Sequence, residues 1–229
     1  MVKEAIILAG GLGTRLRSEV ADLPKCMAPV KGKPFLHYVI EYGKAEGIER
    51  FIFSLGYKYE SISAYLQQEQ KELSYACCIE DEPLGTGGAI RKACQFANEY
   101  TVAVLNGDTL YKANLQDVNR FHSSHHSDCT LTLKPMKNFD RYGVVDIDAN
   151  GAVKHFKEKQ HYNEGLINGG IYLLNKESFC GEEFPDKFSF EKDYLEKYTG
   201  KRQFFGVIQE GYFIDIGIPE DYRRAENEL

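Results

Sequence analysis

Apolar runs and amphipathic segments alternate along the first half of the chain. Glu4–Ala9 is a short, continuous apolar run, which is typical of a strand buried on both faces. Comparable runs predict further strands over Arg50–Leu55, Leu73–Ile79 and Thr101–Leu105. Helical periodicity between the runs predicts helices over Pro34–Ala45, Ser61–Gln70 and Thr86–Asn98. Alternation of this kind predicts right-handed βαβ units and a parallel sheet.

The pattern changes near residue 125, after which strand-like runs follow one another with little helix between them. These runs are Cys129–Lys134, Gly143–Ile147, Val153–Lys157 and Gly169–Leu174. Asn150-Gly151 is a hairpin turn signal, and two later segments, Phe190–Tyr198 and Pro219–Leu229, are predicted to be helices. We therefore expect a single α/β domain over residues 1–229, with a Rossmann-like, mixed and mostly parallel sheet flanked by helices. Its first half would span about residues 1–125 and its β-rich second half about residues 126–229.

Composition and charge exclude several classes of protein. A chain of 229 residues with 43% hydrophobic and 27% charged residues can form a folded core without disulfides or a structural metal. The net charge of −6 argues against a nucleic-acid partner, because such a surface needs a basic face. The six cysteines form no C-x-x-C motif, so we expect reduced thiols packed as small hydrophobic groups.

The sequence also indicates a cellular compartment. The N-terminal apolar run is too short for a signal peptide and stops in glycines. No run approaches the ~20 apolar residues of a membrane helix. We therefore expect a cytoplasmic protein with no membrane partner.

A glycine-rich turn, Gly10-Gly11-Leu12-Gly13-Thr14-Arg15, directly follows the first predicted strand. Such a turn lets backbone N–H groups approach a phosphate chain closely. It is not the dinucleotide fingerprint, which needs a glycine where Leu16 stands, and the chain has no G-K-[ST] tripeptide of a Walker A loop. Arg15 and, further on, Lys25 would add positive charge beside bound phosphates.

Two aspartates are candidates for a metal site. Asp108 follows the buried strand Thr101–Leu105, at the end of the sheet where ligands bind in open α/β folds. Asp215 stands between Ile214 and Ile216, where a carboxylate is costly unless it is paired or coordinates a cation. Two carboxylates with phosphate oxygens and water are a usual environment for Mg²⁺. The alternative for each residue is a strand-end aspartate that caps a turn.

The order of these motifs resembles the sugar-1-phosphate nucleotidyltransferases. The resemblance rests on G-x-G-T-R at Gly11–Arg15, on Pro24-Lys25 and on the second glycine-rich segment, Glu82–Gly88. It implies a GT-A-like fold with a nucleotide-binding first half and a sugar-phosphate-binding second half. It implies a reaction in which a nucleoside triphosphate and a sugar 1-phosphate give a nucleotide sugar and pyrophosphate. A homodimer is compatible with this family.

The resemblance also assigns roles to residues of this chain. It places Arg15 and Lys25 in catalysis and Asp108 and Asp215 on Mg²⁺. The nucleotide would be bound by Leu8, Ala9, Gly10, Gly11, Gly13, Thr14, Arg15, Glu82, Pro83, Leu84, Gly85, Thr86, Gly87, Asn106 and Gly107. The sugar phosphate would be bound by Lys25, Tyr142, Gly143, Glu158, Lys159, Asn168 and Gly169.

Several segments resemble one subgroup, the D-glycero-α-D-manno-heptose 1-phosphate guanylyltransferases. These segments are Leu23–Pro29, Lys33–Leu36, Glu82–Ile90, Phe139–Gly143, Leu166–Gly170 and Ser189–Glu191. The subgroup resemblance implies GTP as the nucleotide and a GDP-heptose product for surface glycans. Related enzymes use mannose, glucose or N-acetylmuramic acid 1-phosphate with GTP, UTP or dTTP, and these remain alternatives.

Alternatives from other classes are a nucleotide-sugar-binding module without turnover and a metal-dependent glycosyltransferase. A glycosyltransferase usually carries a D-x-D motif, and Asp146-Ile147-Asp148 has that form. Because a hairpin turn follows it directly, we interpret it as an acidic pair at a strand end. His122, His125 and His126 form a cluster that we interpret as a solvated helix end, since no zinc-ligand spacing is present.

Overall fold

The fold is built on a nine-stranded sheet, seen in a computed structural model that describes residues 1–11, 16, 20 and 23–229. The strands are β1 (Glu4–Leu8), β2 (Pro29–Val30), β3 (Lys33–Pro34), β4 (Arg50–Leu55), β5 (Ser74–Ile79), β6 (Thr101–Asn106), β7 (Thr109–Tyr111), β8 (Cys129–Phe139), β9 (Val144–Ile147), β10 (Val153–Lys157), β11 (Tyr162–Asn175), β12 (Phe204–Ile208) and β13 (Phe213–Asp215). The α-helices are α1 (Phe35–Ala45), α2 (Tyr59–Glu69), α3 (Gly85–Cys94), α4 (Leu115–Ser124), α5 (Lys176–Cys180) and α6 (Pro219–Glu228). A 3₁₀-helix spans Lys25–Met27 and a π-helix spans Phe190–Glu196.

The first half of the chain forms the parallel part of the sheet, in the order β5-β4-β1-β6. Successive residues of β1 enter different cores. Ile7 packs in one cluster with Phe35 of α1, and Ile6 packs in another with Ile90 of α3. All four side chains have no exposed surface, so each contributes about 1.5–3 kcal/mol of hydrophobic stabilisation. A strand buried on both faces is therefore the reason for the continuous apolar run at Glu4–Ala9.

The second half of the chain is mainly antiparallel. The long strand β11 pairs with β6 on one edge and with β8 on the other, and it joins the two halves in one sheet. The hairpin β9–β10 adds at β11, and β12 pairs in parallel with β8. Outside this sheet, β13 pairs with β7, so that Asp215 lies opposite Thr109.

The predicted fold class is confirmed, but several element boundaries differ from the predictions. The helix α3 ends at Cys94, short of the predicted Asn98, because the chain leaves it through tighter turns such as the bond from the Ala97 N–H to the Cys94 carbonyl. The strands β8 and β11 are longer than predicted, since their polar ends pair with each other as far as Tyr162 and Phe139. The segment that begins at Phe190 is a π-helix rather than an α-helix.

The interpretation of the histidine cluster was wrong for His122. The helix α4 was not predicted over its full length, and it turns His122 into the interior, where 4% of its surface is exposed. Its Nδ1 atom lies 2.9 Å from the hydroxyl of Thr130 on β8. His125 and His126 are exposed, as expected.

No helix in the described ranges is both long and apolar enough to cross a lipid bilayer.

Candidate active site

Two pockets adjoin at the carboxyl ends of the parallel strands. The larger is a cleft of about 1020 Å³, which we call the first pocket, and the smaller, of about 380 Å³, we call the second pocket. Asn106 and Glu191 line both, so the pockets share a wall. This position is the one at which open α/β sheets bind ligands, because several strands end there side by side.

Most of the residues predicted to bind a nucleotide line the first pocket. They are Leu8, Ala9, Gly10, Gly11, Pro83, Gly85, Thr86, Asn106 and Gly107. Among the described residues, three that were predicted for this role do not line it: Glu82, Leu84 and Gly87. Gly13, Thr14 and Arg15 lie outside the described residues.

Gly87 has a packing role that explains its place in the chain. Its N–H donates to the carbonyl of Phe188 at 3.0 Å, so it is not an unpaired donor at the helix start. A Cβ atom at this position would lie 2.2 Å from the Phe188 ring. Glycine therefore lets α3 pack directly against the segment that leads into the π-helix, whose residues line the second pocket.

Asp108 is placed at the first pocket by the end of β6. Gly107 allows this approach, because its N–H bonds the Leu8 carbonyl at 2.9 Å and a Cβ there would lie 2.8 Å from the same oxygen. The ammonium group of Lys25 lies 3.2 Å from Oδ2 of Asp108. Both side chains are partly buried, with exposed fractions of 16% and 33%, so this ion pair is partly shielded from solvent.

Cys26, next to Lys25, also lines the first pocket. Burial, aided by the charge of Asp108, raises the pKa of its thiol to about 12. The thiol is therefore protonated near neutral pH and is a poor nucleophile.

Asp215 lies at the second pocket, on the strand β13. Burial and then the charge of Asp108 raise the pKa of its carboxyl group, while the Gly217 N–H, Lys25 and Arg141 oppose the shift. The Gly217 N–H donates to Oδ1 at 2.7 Å, and the Tyr142 hydroxyl donates to Oδ2 at 3.3 Å. The pairing of β13 with β7 thus brings Asp215 close enough to Asp108 for the two charges to interact.

These two carboxylates fit a hard divalent cation. Burial and the nearby charge of Asp108 raise the pKa of Asp215, and a cation beside the two carboxylates would favour their charged forms. Within the described parts of the chain, no group of three or more His, Cys, Asp or Glu side chains is arranged to hold a metal ion. Asp108 and Asp215 would therefore share a cation with ligand oxygens and water, which is how Mg²⁺ is commonly held.

The second pocket collects the residues predicted for the sugar phosphate, with one exception. Tyr142, Gly143, Glu158, Lys159, Asn168 and Gly169 all line it. Lys25 lines the first pocket instead, at Asp108. Gly169 packs against the Tyr111 ring, which a Cβ atom would approach to 2.4 Å.

Some lining residues were missed by the sequence analysis. Ser54, Glu80 and Asp81 line the first pocket, and Lys192 and Glu196 line the second. Ser54 is the penultimate residue of β4 and Glu80 follows β5, so the rule that placed Asp108 could also have found these two. Lys192 and Glu196 lie on the π-helix, and no local pattern indicates that this helix returns to the pocket.

The acidic pair Asp146-Ile147-Asp148 is structural, as predicted. Asp148 accepts bonds from the N–H groups of Asn150 and Ala152 at 2.9 and 3.0 Å, and it pairs with Lys154. Asp146 pairs with Lys157 across the hairpin. The pair therefore caps and closes the β9–β10 hairpin.

Comparisons with known proteins identify the family of the chain. The family model "Nucleotidyl transferase" matches residues 4–229. The chain is 52% identical over 226 residues to the D-glycero-alpha-D-manno-heptose 1-phosphate guanylyltransferase of Aneurinibacillus thermoaerophilus, covering 99% of this chain and 98% of that protein. It is 46% identical over 219 residues to the protein of the same name from Campylobacter jejuni, covering 96% of each.

A solved structure is similar over the same span. HddC from Yersinia pseudotuberculosis, crystallised with GMP-PN, superposes with a TM-score of 0.88 at 40% identity, covering 99% of both chains. The family expected from the glycine-rich turn, Pro24-Lys25 and the second glycine-rich segment is thus confirmed over nearly the whole length. The chain belongs to the nucleotidyl transferase family.

Proposed function

We propose that this protein transfers GMP from GTP to D-glycero-α-D-manno-heptose 1-phosphate, which gives GDP-heptose for surface glycans and releases pyrophosphate. The observation that carries the choice of substrates is the 52% identity, over 99% of this chain, to a guanylyltransferase of that name. The geometry supports the reaction type, since a large pocket and a small one meet beside two aspartates.

The reaction is a direct displacement at phosphorus. An oxygen of the sugar 1-phosphate attacks the α-phosphorus of GTP, and the bond from that phosphorus to the bridging oxygen of pyrophosphate breaks. No covalent enzyme intermediate is required, so the protein contributes by positioning and charge neutralisation. The protonated Cys26 fits this account, because it leaves the first pocket without an activated thiol.

The chain's own residues divide the work between the pockets. The first pocket holds GTP, with Gly10 and Gly11 at its phosphates, and Arg15 is assigned to the pyrophosphate side. Lys25 is paired with Asp108 and lies where it can reach the phosphates that meet there. Glu158 and Asn168 hold the sugar, and Lys159 its phosphate.

Asp108 and Asp215 are the residues that would hold a metal ion. Enzymes of this family commonly use a divalent metal, and we infer Mg²⁺. When bound, it neutralises phosphate charge and draws the two substrates together. Asp108 lines the first pocket and Asp215 lines the second, so a metal ion held by both would lie where the pockets meet.

A substrate grid tests the proposal. The purified protein is incubated with Mg²⁺, each of GTP, UTP and dTTP, and the 1-phosphates of D-glycero-α-D-manno-heptose, mannose, glucose and N-acetylmuramic acid. We expect pyrophosphate release only with GTP and the heptose phosphate. Asp108→Asn is the matched control, and it should lower turnover on the order of 10²–10³-fold.

Other outcomes of the grid are equally informative. Turnover with a different pair would keep the reaction and replace the substrate. Binding of GTP without pyrophosphate release from any pair would overturn the proposal in favour of a binding module.

A further inference from the structure

Asp221 is a buried carboxylate that lines neither pocket. It lies in the first turn of α6, with 6% of its surface exposed. Its two oxygens are taken by two arginines: Oδ1 accepts from Arg224 at 2.9 Å, and Oδ2 accepts from Arg141. A buried carboxylate with two charge-assisted partners is firmly held and holds its partners in turn.

Arg141 connects this carboxylate to the second pocket. Its guanidinium group lies 5.4 Å from the centroid of the Tyr142 ring, within cation–π range. The ring of Tyr142 packs edge-on against Phe213 at 5.9 Å, and its hydroxyl donates to Asp215 at 3.3 Å. Tyr142, Phe213 and Asp215 all line the second pocket.

These contacts connect two segments that are far apart in the sequence. The helix α6 follows β13 after a short connection, so Asp221 is tied covalently to Asp215 and Phe213. Tyr142 belongs to a different part of the sequence, the turn between β8 and β9. The bond between Asp221 and Arg141 therefore adds a charged contact to those by which Tyr142 holds that turn against β13.

Gly143 extends the same effect to the pocket wall. It follows Tyr142 directly, and a Cβ atom there would lie 2.6 Å from the Lys157 carbonyl. The backbone at Gly143 thus has little freedom to compensate if the turn shifts. A change at Asp221 would be transmitted to the wall of the second pocket.

We propose that Asp221 is a positioning residue for the sugar 1-phosphate. Its carboxylate orients Arg141, and through Arg141 it sets Tyr142 and Gly143 against Asp215. The GTP pocket is built from other elements, so its affinity is independent of this contact. This inference rests on the proposed function, since it takes the second pocket to be the sugar-phosphate site.

The test compares three variants by steady-state kinetics in the presence of the metal. Asp221→Asn keeps the shape and removes the charge. We expect it to raise the KM for the sugar 1-phosphate about tenfold, while the KM for GTP stays within about twofold. If that variant folds poorly, Arg141→Gln tests the same contact, because Asp221 then keeps its bond to Arg224.

Arg224→Gln is the matched control. It removes the other arginine from the same carboxylate, together with that arginine's contacts to the Phe213 carbonyl and to Glu228. A general loosening of α6 against β13 would therefore appear in this variant too. We expect a lower melting temperature but unchanged KM values for both substrates.

The outcomes separate the inference from the proposed function. Wild-type turnover of the heptose phosphate decides the proposed function alone, and if another sugar phosphate is used, the variants are compared with that one. Equal increases of both KM values in Asp221→Asn would overturn the inference. The same sugar-phosphate KM increase in Arg224→Gln would also overturn it. A wild-type protein that turned over no sugar phosphate would overturn both the inference and the proposed function.

Discussion

Asp108 and Asp215, which lie where the two pockets meet, differ in the groups that surround their carboxylates. Asp108 forms an ion pair with Lys25, whereas the contacts described for Asp215 are hydrogen bonds from Gly217 and Tyr142. The position of both aspartates at the pockets could be predicted from the sequence, because one follows a buried strand and the other interrupts an apolar run. The partner of Asp108 could not, since the ion pair joins residues 83 positions apart.

Replacement of Asp215 should separate function from stability. Its carboxyl pKa is raised in the folded protein, so stability is higher at low pH and is lost as the pH rises through the shifted pKa. Near neutral pH the ionised group costs stability in the metal-free protein. We therefore expect Asp215→Asn to raise the melting temperature without metal while lowering kcat on the order of 10²–10³-fold.

The control for this prediction is Asp148→Asn. It removes a carboxylate that caps the β9–β10 hairpin, so it should lower the melting temperature and leave turnover unchanged. Near-wild-type turnover of Asp215→Asn at saturating Mg²⁺ would contradict the metal assignment.

Among the secondary-structure elements, those with a local sequence pattern could be predicted. Continuous apolar runs indicate buried strands, and glycine-rich segments indicate turns. The parallel strands β1, β4, β5 and β6 were predictable for this reason. The short pair β7–β13 was not predictable as a pair, because its register depends on partners far apart in the chain. The burial of His122 on α4 was also not predicted, since its ring packs beside the hydroxyl of Thr130, a residue of another element.

The contact between α4 and β8 should make stability depend on pH. Burial lowers the pKa of His122 to about 4, against an ordinary value of about 6.5. Between these values the unfolded chain binds a proton that the folded protein does not, so stability falls as the pH is lowered through this window. The loss would be on the order of 3 kcal/mol by pH 4.

Denaturant titrations at several pH values measure this effect. His122→Gln should flatten the dependence of the unfolding free energy between pH 6.5 and 4, whereas the exposed His125→Gln should not. Identical pH dependences in wild type and His122→Gln would show that another group is responsible.

At the scale of the whole molecule, the site exists because two differently built halves share one sheet. The parallel half supplies most of the first pocket, the antiparallel half supplies most of the second, and β11 pairs with β6 where they meet. The alternation of strands and helices in the sequence predicted the parallel half. The second pocket depends on the pairing of β11 with β8 and on the return of the π-helix to the pocket, which are long-range contacts without a local signature.

In the proposed reaction, the α-phosphorus of GTP is transferred to the sugar phosphate. The most direct test follows radioactive phosphorus in two parallel reactions with Mg²⁺ and D-glycero-α-D-manno-heptose 1-phosphate, one with GTP labelled at the α position and one with GTP labelled at the γ position. We expect the α label in the nucleotide sugar and the γ label in pyrophosphate. Recovery of the α label in GDP or free GMP, with the γ label in inorganic phosphate, would contradict the proposed reaction.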